Sequence, residues 1–309
     1  MPLLTRRRTI LAKTETTYGV DPTPTGSANA ILIRNLNVTP INAEVVSRDL
    51  VRAYLGNSEQ LIASKHVQLD FEVEMAGSGT AGTAPAYNVL LKACGLAETD
   101  GASDVTYAPV SSGFGSATIY FNVDGVLHKI TGARGNVEFT IAARTMPVMK
   151  FSFTGIYNAP TDAALPTVDY SAFQTPLAAN TTNTTDFSFF SYSGVLESLS
   201  LNLGNQINYR SLIGSESVIM TDRQVSGTAV FEAPTIATKD FFAAALASTL
   251  GALSITHGTV AGNKFKIDSS RIDIANPTYT DNNGIHMLSV PFVAVPSSSG
   301  NDELQITVL

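Results

Sequence analysis

Between residues 67 and 74 the chain alternates cleanly. Val67, Leu69, Phe71 and Val73 are apolar, while Gln68, Asp70, Glu72 and Glu74 are polar. A period of two predicts a strand with one buried and one wet face. Looser alternation predicts strands over 31–38, ended by Pro40, and from Val45-Val46 onward. Residues 117–123, 126–131, 137–142 and 149–155 read as a meander, with turns at Asp124-Gly125 and at 132–135. In the second half, strands are expected over 195–202, 264–267, 271–274, 286–295 and 304–308, with a turn at Asn283-Gly284. Short helices are predicted at 87–94, stopped by Gly95, and at 241–250, stopped near Gly251. Residues 1–30 lack a clear period and read as an extended arm, and 97–116 read as loop. Between Ser47 and Lys65 charge mixes with Leu50, Val51, Tyr54, Leu55, Leu61 and Ile62. The spacing over 48–55 admits a helix. The turn signal Gly56-Asn57 and the strand that follows favour a long hairpin excursion.

One stretch occurs twice. GNSEQLIASKHVQLDFEVE at 56–74 aligns without a gap to GSESVIMTDRQVSGTAVFE at 214–232, an offset of 158 residues. Leu61 meets Ile219, Ile62 meets Met220, Lys65 meets Arg223 and Glu74 meets Glu232. The offset suits a whole domain rather than a solenoid unit. The predicted organisation is an arm at 1–30, a first domain at 31–160, a linker at 161–190 and a second domain at 191–309. The linker holds Pro166, Pro176 and the polar tract NTTNTT.

Composition narrows the functional classes. A chain of 309 residues accommodates two such domains. Its net charge of −7 lies in the second part: residues 1–160 carry 13 basic and 13 acidic side chains, and residues 161–309 carry 6 and 13. An acidic chain is poorly suited to grip nucleic acid through phosphates. No apolar run reaches the ~18 residues of a membrane span. The run after Arg6-Arg7-Arg8 is too short for a signal peptide, so a soluble, cytoplasmically made protein is expected. The glycosylation-type triplets at Asn180 and Asn183 are then without consequence. The four histidines are dispersed and Cys94 stands alone. No zinc spacing, disulfide framework, nucleophile elbow or phosphate loop is present, so neither an enzyme nor a cofactor is expected.

Several stretches together resemble the major tail tube protein of long-tailed (siphovirus-type) phages. They are TETTYGVDPTPT at the end of the arm, the strand–excursion–strand region 31–74, the short helix 87–94 and DGVLHKITGARGNVEFTIAARTMPVMKFSFTGIY at 124–157. The C-terminal pieces NNGIHMLSVPFVAV and GNDELQITVL complete the likeness. The resemblance implies a mainly β protein, here two tandem tail-tube-type β-sandwich or barrel domains, each flanked by a short α-helix. It implies a structural, non-enzymatic protein of the virion tail, assembled in the host bacterial cytoplasm from rings that stack into a channel for DNA ejection. Because the domain is doubled, three chains per ring with pseudo-sixfold symmetry are expected in place of six. Implied partners are other copies of the chain, a tape-measure protein and double-stranded DNA in the lumen, and tail-tip and tail-terminator proteins at the ends. Asp70, Glu72, Glu74 and Glu232 are the expected lumen-lining residues. Leu50, Tyr54, Leu55, Leu61, Ile62, Tyr209, Leu212, Ile213 and Ile219 are the expected contacts between rings. A secretion-system (Hcp-like) tube and a β-sandwich adhesion or carbohydrate-binding module remain as alternatives. The last is weakened by the absence of Trp.

Overall fold

The computed structural model describes residues 3–309. In chain order, β1 (Arg8–Thr14) leads through α1 (Gly26–Asn29) and β2 (Ala30–Ile31) into the long hairpin of β3 (Arg34–Ser47) and β4 (Gln60–Glu74). Helix α2 (Asn88–Ala93) follows, then the hairpin β5 (Leu96–Asp100) and β6 (Val105–Pro109). The meander β7 (Ala117–Val123), β8 (Val126–Ala142) and β9 (Val148–Tyr157) completes the first half. After β10 (Thr161–Asp162) and an irregular stretch come β11 (Thr184–Phe189), β12 (Leu196–Asn202), β13 (Asn205–Leu212), β14 (Ser215–Arg223) and β15 (Ser226–Glu232). Helix α3 (Phe241–Leu246) precedes β16 (Gly251–His257), β17 (Phe265–Ile274), β18 (Thr278–Asn282), β19 (Ile285–Ala294) and β20 (Gln305–Val308). The Asp240 carboxylate caps α3 by accepting from the Ala243 amide at 2.8 Å.

The architecture is mainly β, in two layers. In one layer β3, β4, β9, β8, β12, β15, β19 and β18 pair in that order, every pair antiparallel. This sheet passes from the first half of the chain to the second at the β8–β12 seam, where Glu138 lies opposite Asn202 and Ala142 opposite Ser198. The second layer joins β2, β1 and β7 to the start of β8, and separately links β11, β16, β17, β20, β6 and β5. The C-terminal strand β20 therefore pairs with β6 of the first half.

Strand β8 serves both layers because it bends. Its ladder with β9 slips between Thr131 and Arg134, and Gly132 there has φ +59°. A side chain at Gly132 would meet the Tyr18 ring at 2.8 Å, so only glycine fits both the backbone and the space. The turn expected at 132–135 is thus a bend inside one strand, as at a sandwich corner. Between the layers lies one continuous apolar cluster, to which Phe71, Phe139, Phe151 and Phe153 contribute from the first half and Phe231, Phe241 and Phe265 from the second. The Phe139 and Phe265 rings are 5.9 Å apart across the halves. Each such ring contributes about 1.5–3 kcal/mol by burial.

Other sequence expectations shift on inspection. Residues 8–14, expected within an irregular arm, pair along the whole of β7 and bury Ile10, Leu11 and Ala12. Pro40 does not end β3; it falls at the slip between Thr39 and Asn42, where a ladder tolerates a missing donor. The 97–116 region contains the β5–β6 hairpin, and the second helix ends at Leu246 rather than 250. Within the expected linker, Ala179 and Phe189 are core residues.

One irregularity recurs at the sequence offset. The β3–β4 ladder slips between Glu44 and Val45, leaving Ala63 unpaired, and the β13–β14 ladder slips between Gln206 and Ile207, leaving Thr221 unpaired. Ala63 and Thr221 are 158 positions apart (221 − 63).

Candidate assembly surfaces

Directly opposed residues on paired strands share a face, so the ladder registers define which side chains stand together. On the face of the crossing sheet turned away from the core, Asp70, Glu72 and Glu74 form a column on β4. Glu232 stands on the same face of β15. The structure therefore brings the first three acids together and sets the fourth four strands away. The column is not bare. Arg34 Nε lies 3.2 Å from Glu72 Oε2 and Arg34 Nη1 lies 3.9 Å from Glu74 Oε1. Lys150 sits in register between Glu72 and Glu138. Asp273, opposite Val293, adds another carboxylate.

Glu138 alternates with Val137 and Phe139, and Asp273 with Ile272 and Ile274, so the local pattern turns both outward without showing which strands stand beside them. The ladders alone place them beside the acids already named. Between the charges run rows of hydroxyls and amides: Gln68, Ser152, Asn136, Thr140, Ser200, Asn202, Ser226 and Thr228. Shallow depressions follow this surface, one around Asp70, Glu138 and Lys150 and one around Ser200, Thr228 and Asp273. The face named here carries six carboxylates against two cations, in a field of uncharged polar groups. Such a surface is well hydrated and repulsive to polyanions.

The nine apolar and aromatic positions expected at ring contacts divide into two sets. Leu50, Tyr54, Leu55, Leu61, Ile62, Leu212 and Ile213 are exposed. Tyr209 and Ile219 are half-buried, and the β13–β14 hairpin that carries them folds back on the first half. The Tyr209 hydroxyl reaches the Lys65 carbonyl at 2.8 Å, and its ring lies 4.7 Å from that of His66. Beside Ile219, Val218 and Met220 are buried. Tyr18 and Arg134 clamp this hairpin. The Val218 amide donates to the Tyr18 hydroxyl at 2.6 Å, and Arg134 Nη1 donates to the Val218 carbonyl at 2.9 Å. Arg134 also lies over the Tyr18 ring at 4.8 Å. Burial raises the Tyr18 pKa above that of a free phenol.

Tyr18 is held in place by Glu15, whose carboxylate is buried and fully engaged. Its Oε1 accepts from Thr118 Oγ1 at 2.7 Å and from the Gly132 amide at 2.7 Å. Its Oε2 accepts from Ser116 Oγ at 2.6 Å and from the Gly19 amide at 2.8 Å. A second buried charge joins the halves: Arg223 holds Glu303 at 2.6 Å and donates to the Val110 carbonyl at 2.8 Å.

The crossing sheet ends on two open edges. β3 pairs only with β4, and β18 only with β19, among the described residues. Open edges of this kind template further strands. Nothing comparable points to catalysis or metal binding. Among the described residues no group of His, Cys, Asp or Glu is placed to hold a metal, and no helix is long and apolar enough to cross a membrane. The Cys94 thiol is buried and its pKa pushed up by desolvation, the opposite of an activated nucleophile.

A family model described as phage tail tube protein covers residues 5–294. No curated protein matches the chain.

Proposed function

The chain belongs to the phage tail tube protein family, and so is a structural protein of the virion tail; from that premise we propose that it is a duplicated tube subunit, three copies of which close into a ring with pseudo-sixfold symmetry. One observation carries this reading: a single sheet runs through both halves and stops at an open edge on each side. A heterologous contact between one edge and the other repeats until it closes on itself, which makes a ring. The bulge recurring 158 residues on and the aligned stretches 56–74 and 214–232 support descent of both halves from one module. On this reading the boundaries 31–160 and 191–309 mark the two modules, joined by 161–190. They are no longer independent, since β20 has crossed to pair with β6.

The polar face of the crossing sheet is the proposed lumen wall, with Asp70, Glu72, Glu74 and Glu232 among its charges. Phosphates passing such a wall meet repulsion and no base-reading donors, so double-stranded DNA slides without sticking. At physiological salt the repulsion reaches about 8 Å, which suffices inside a narrow channel. The exposed tips around Leu55 and Ile213 are the proposed links between stacked rings. A tape-measure protein in the lumen during assembly, and terminal proteins at the tube ends, complete the proposal. The family match favours this reading over an adhesion module.

Electron microscopy of the assembled chain tests it. Stacked rings of three chains are expected. Six chains per ring, or a protein that stays monomeric at high concentration, overturns the duplicated-ring reading.

A further inference from the structure

The joint between the two halves supplies a template for the joint between chains. We propose that β3 of one chain pairs antiparallel with β18 of a second copy, in a register set by the internal β8–β12 seam, and that the β3–β4 hairpin folds over that second copy as β13–β14 folds over the first half. The inference rests on the ring reading and deepens it by naming the edges, their alignment and the side chains that meet.

The register follows from the ladders. Asp70 opposes Asn37, and Thr228, 158 residues on, opposes Ser200, so Ser200 corresponds to Asn37. Glu74 and Glu232 oppose Val148 and Met287, and these in turn oppose Thr140 and Thr280, so Thr140 corresponds to Thr280. Within the chain Thr140 faces Ser200. Between chains, therefore, Thr280 faces Asn37, Tyr279 faces Val38 and Thr278 faces Thr39.

Burial agrees with this transposition at two independent places. At the internal seam Phe139 and Leu201 stand opposite each other and are buried. Their counterpart Tyr279, on the open edge, is 55% exposed, its ring 5.6 Å from that of Phe242. On the folded hairpin Ile207 opposes Met220, which is 8% exposed. Their counterparts Val45 and Ile62 oppose each other on the free hairpin, 48% and 63% exposed. Apolar positions in the same register are covered where the chain's other half adjoins them and bare where no half adjoins them. A second copy restores the missing cover. This also changes the role of Ile62, which meets the neighbour within a ring rather than the next ring.

Paired cysteines test the register. Chains carrying Asn37→Cys and Thr280→Cys are assembled, imaged and oxidised mildly. Buried Cys94 remains a spectator. Directly opposed strand residues meet the geometry of a disulfide, whereas a two-residue slip exceeds it. Interchain links closing into covalent trimers are expected for this pair, and at least tenfold less linkage for Asn37→Cys with Thr278→Cys. Tubes that form but link equally well through the slipped pair, or through neither, overturn the seam and leave the tube reading standing. Failure of the wild-type chain to form rings overturns the tube reading and the seam with it. The hairpin is tested with Val45→Asp plus Ile62→Asp. Unassembled subunits are expected to melt like wild type while tube formation is lost. Normal tubes from that variant overturn the hairpin contact.

Discussion

Replacing Glu15 isolates the device that ties the N-terminal segment to the rest of the molecule. Its carboxylate accepts from two hydroxyls and two backbone amides while buried. In Glu15→Gln one oxygen is retained, and the amide nitrogen must face the other pair of donors. A hydroxyl can rotate to accept from that nitrogen, but a backbone amide cannot, so either Gly19 or Gly132 loses its acceptor. An orphaned buried donor costs about 1–3 kcal/mol. In Glu15→Ala both backbone amides lose their acceptor at the bend of β8, and at about 1–3 kcal/mol for each orphaned donor the expected loss is about 2–6 kcal/mol. Urea unfolding of the unassembled subunit at pH 7 measures both. Exposed Glu44→Gln, expected within about 0.5 kcal/mol of wild type, is the control. Because Tyr18 hangs on the same segment and clamps Val218, hydrogen exchange at the Val218 amide should accelerate in both variants. If Glu15→Gln and Glu44→Gln unfold at the same denaturant concentration, the carboxylate is not holding this corner and the argument fails.

Three other predictions concern separate parts of the molecule. His257 is buried, with Nδ1 2.9 Å from Thr184 Oγ1 and Nε2 3.0 Å from the Leu177 carbonyl; burial lowers its pKa below the usual 6.5, with the Leu177 carbonyl acting in the opposite direction. Its folded-state pKa is therefore below the unfolded one, so its contribution is complete above about pH 6.5 and is lost as pH falls through the folded value. The stability difference between wild type and His257→Gln should shrink from pH 7.5 to pH 5, and a flat difference in thermal melts would refute this. Leu55→Asp and Ile213→Asp alter fully exposed tips. Each should change subunit stability by less than about 0.5 kcal/mol while shortening or abolishing tubes, and tubes of normal length would remove these tips from ring stacking. Asp70→Lys combined with Glu232→Lys should leave tube assembly intact but slow the passage of linear duplex DNA in a salt-dependent way; passage indistinguishable from wild type would count against an electrostatic role for the wall.

Much of the chain was legible from its pattern because the information is local. The 67–74 alternation sets the buried and wet sides of β4, and glycine after an apolar run marks where α2 stops, at Gly95. Asp124-Gly125 and Asn283-Gly284 mark their hairpins for the same reason, since few residue pairs accept the backbone angles needed there. The unmatched parts are those in which a distant partner overrides the local signal. Residues 8–14 are a strand because β7 offers a complete ladder. Residues 132–135 bend rather than turn because β9, β7 and β12 all hold the same strand.

By itself the sequence determined a β-rich chain with an acidic wet face and a stretch, 56–74, that aligns to 214–232. Those properties depend on residue type and spacing, which are written along one dimension. Only the tertiary structure decided that Lys150 and Arg34 stand among the acids, that Tyr209 is engaged within the chain while Ile62 is bare, and that one sheet joins the halves and ends on two free edges. Pairing between residues far apart in the chain depends on which edges and apolar faces are left to be covered in three dimensions, and no local window of sequence contains that choice.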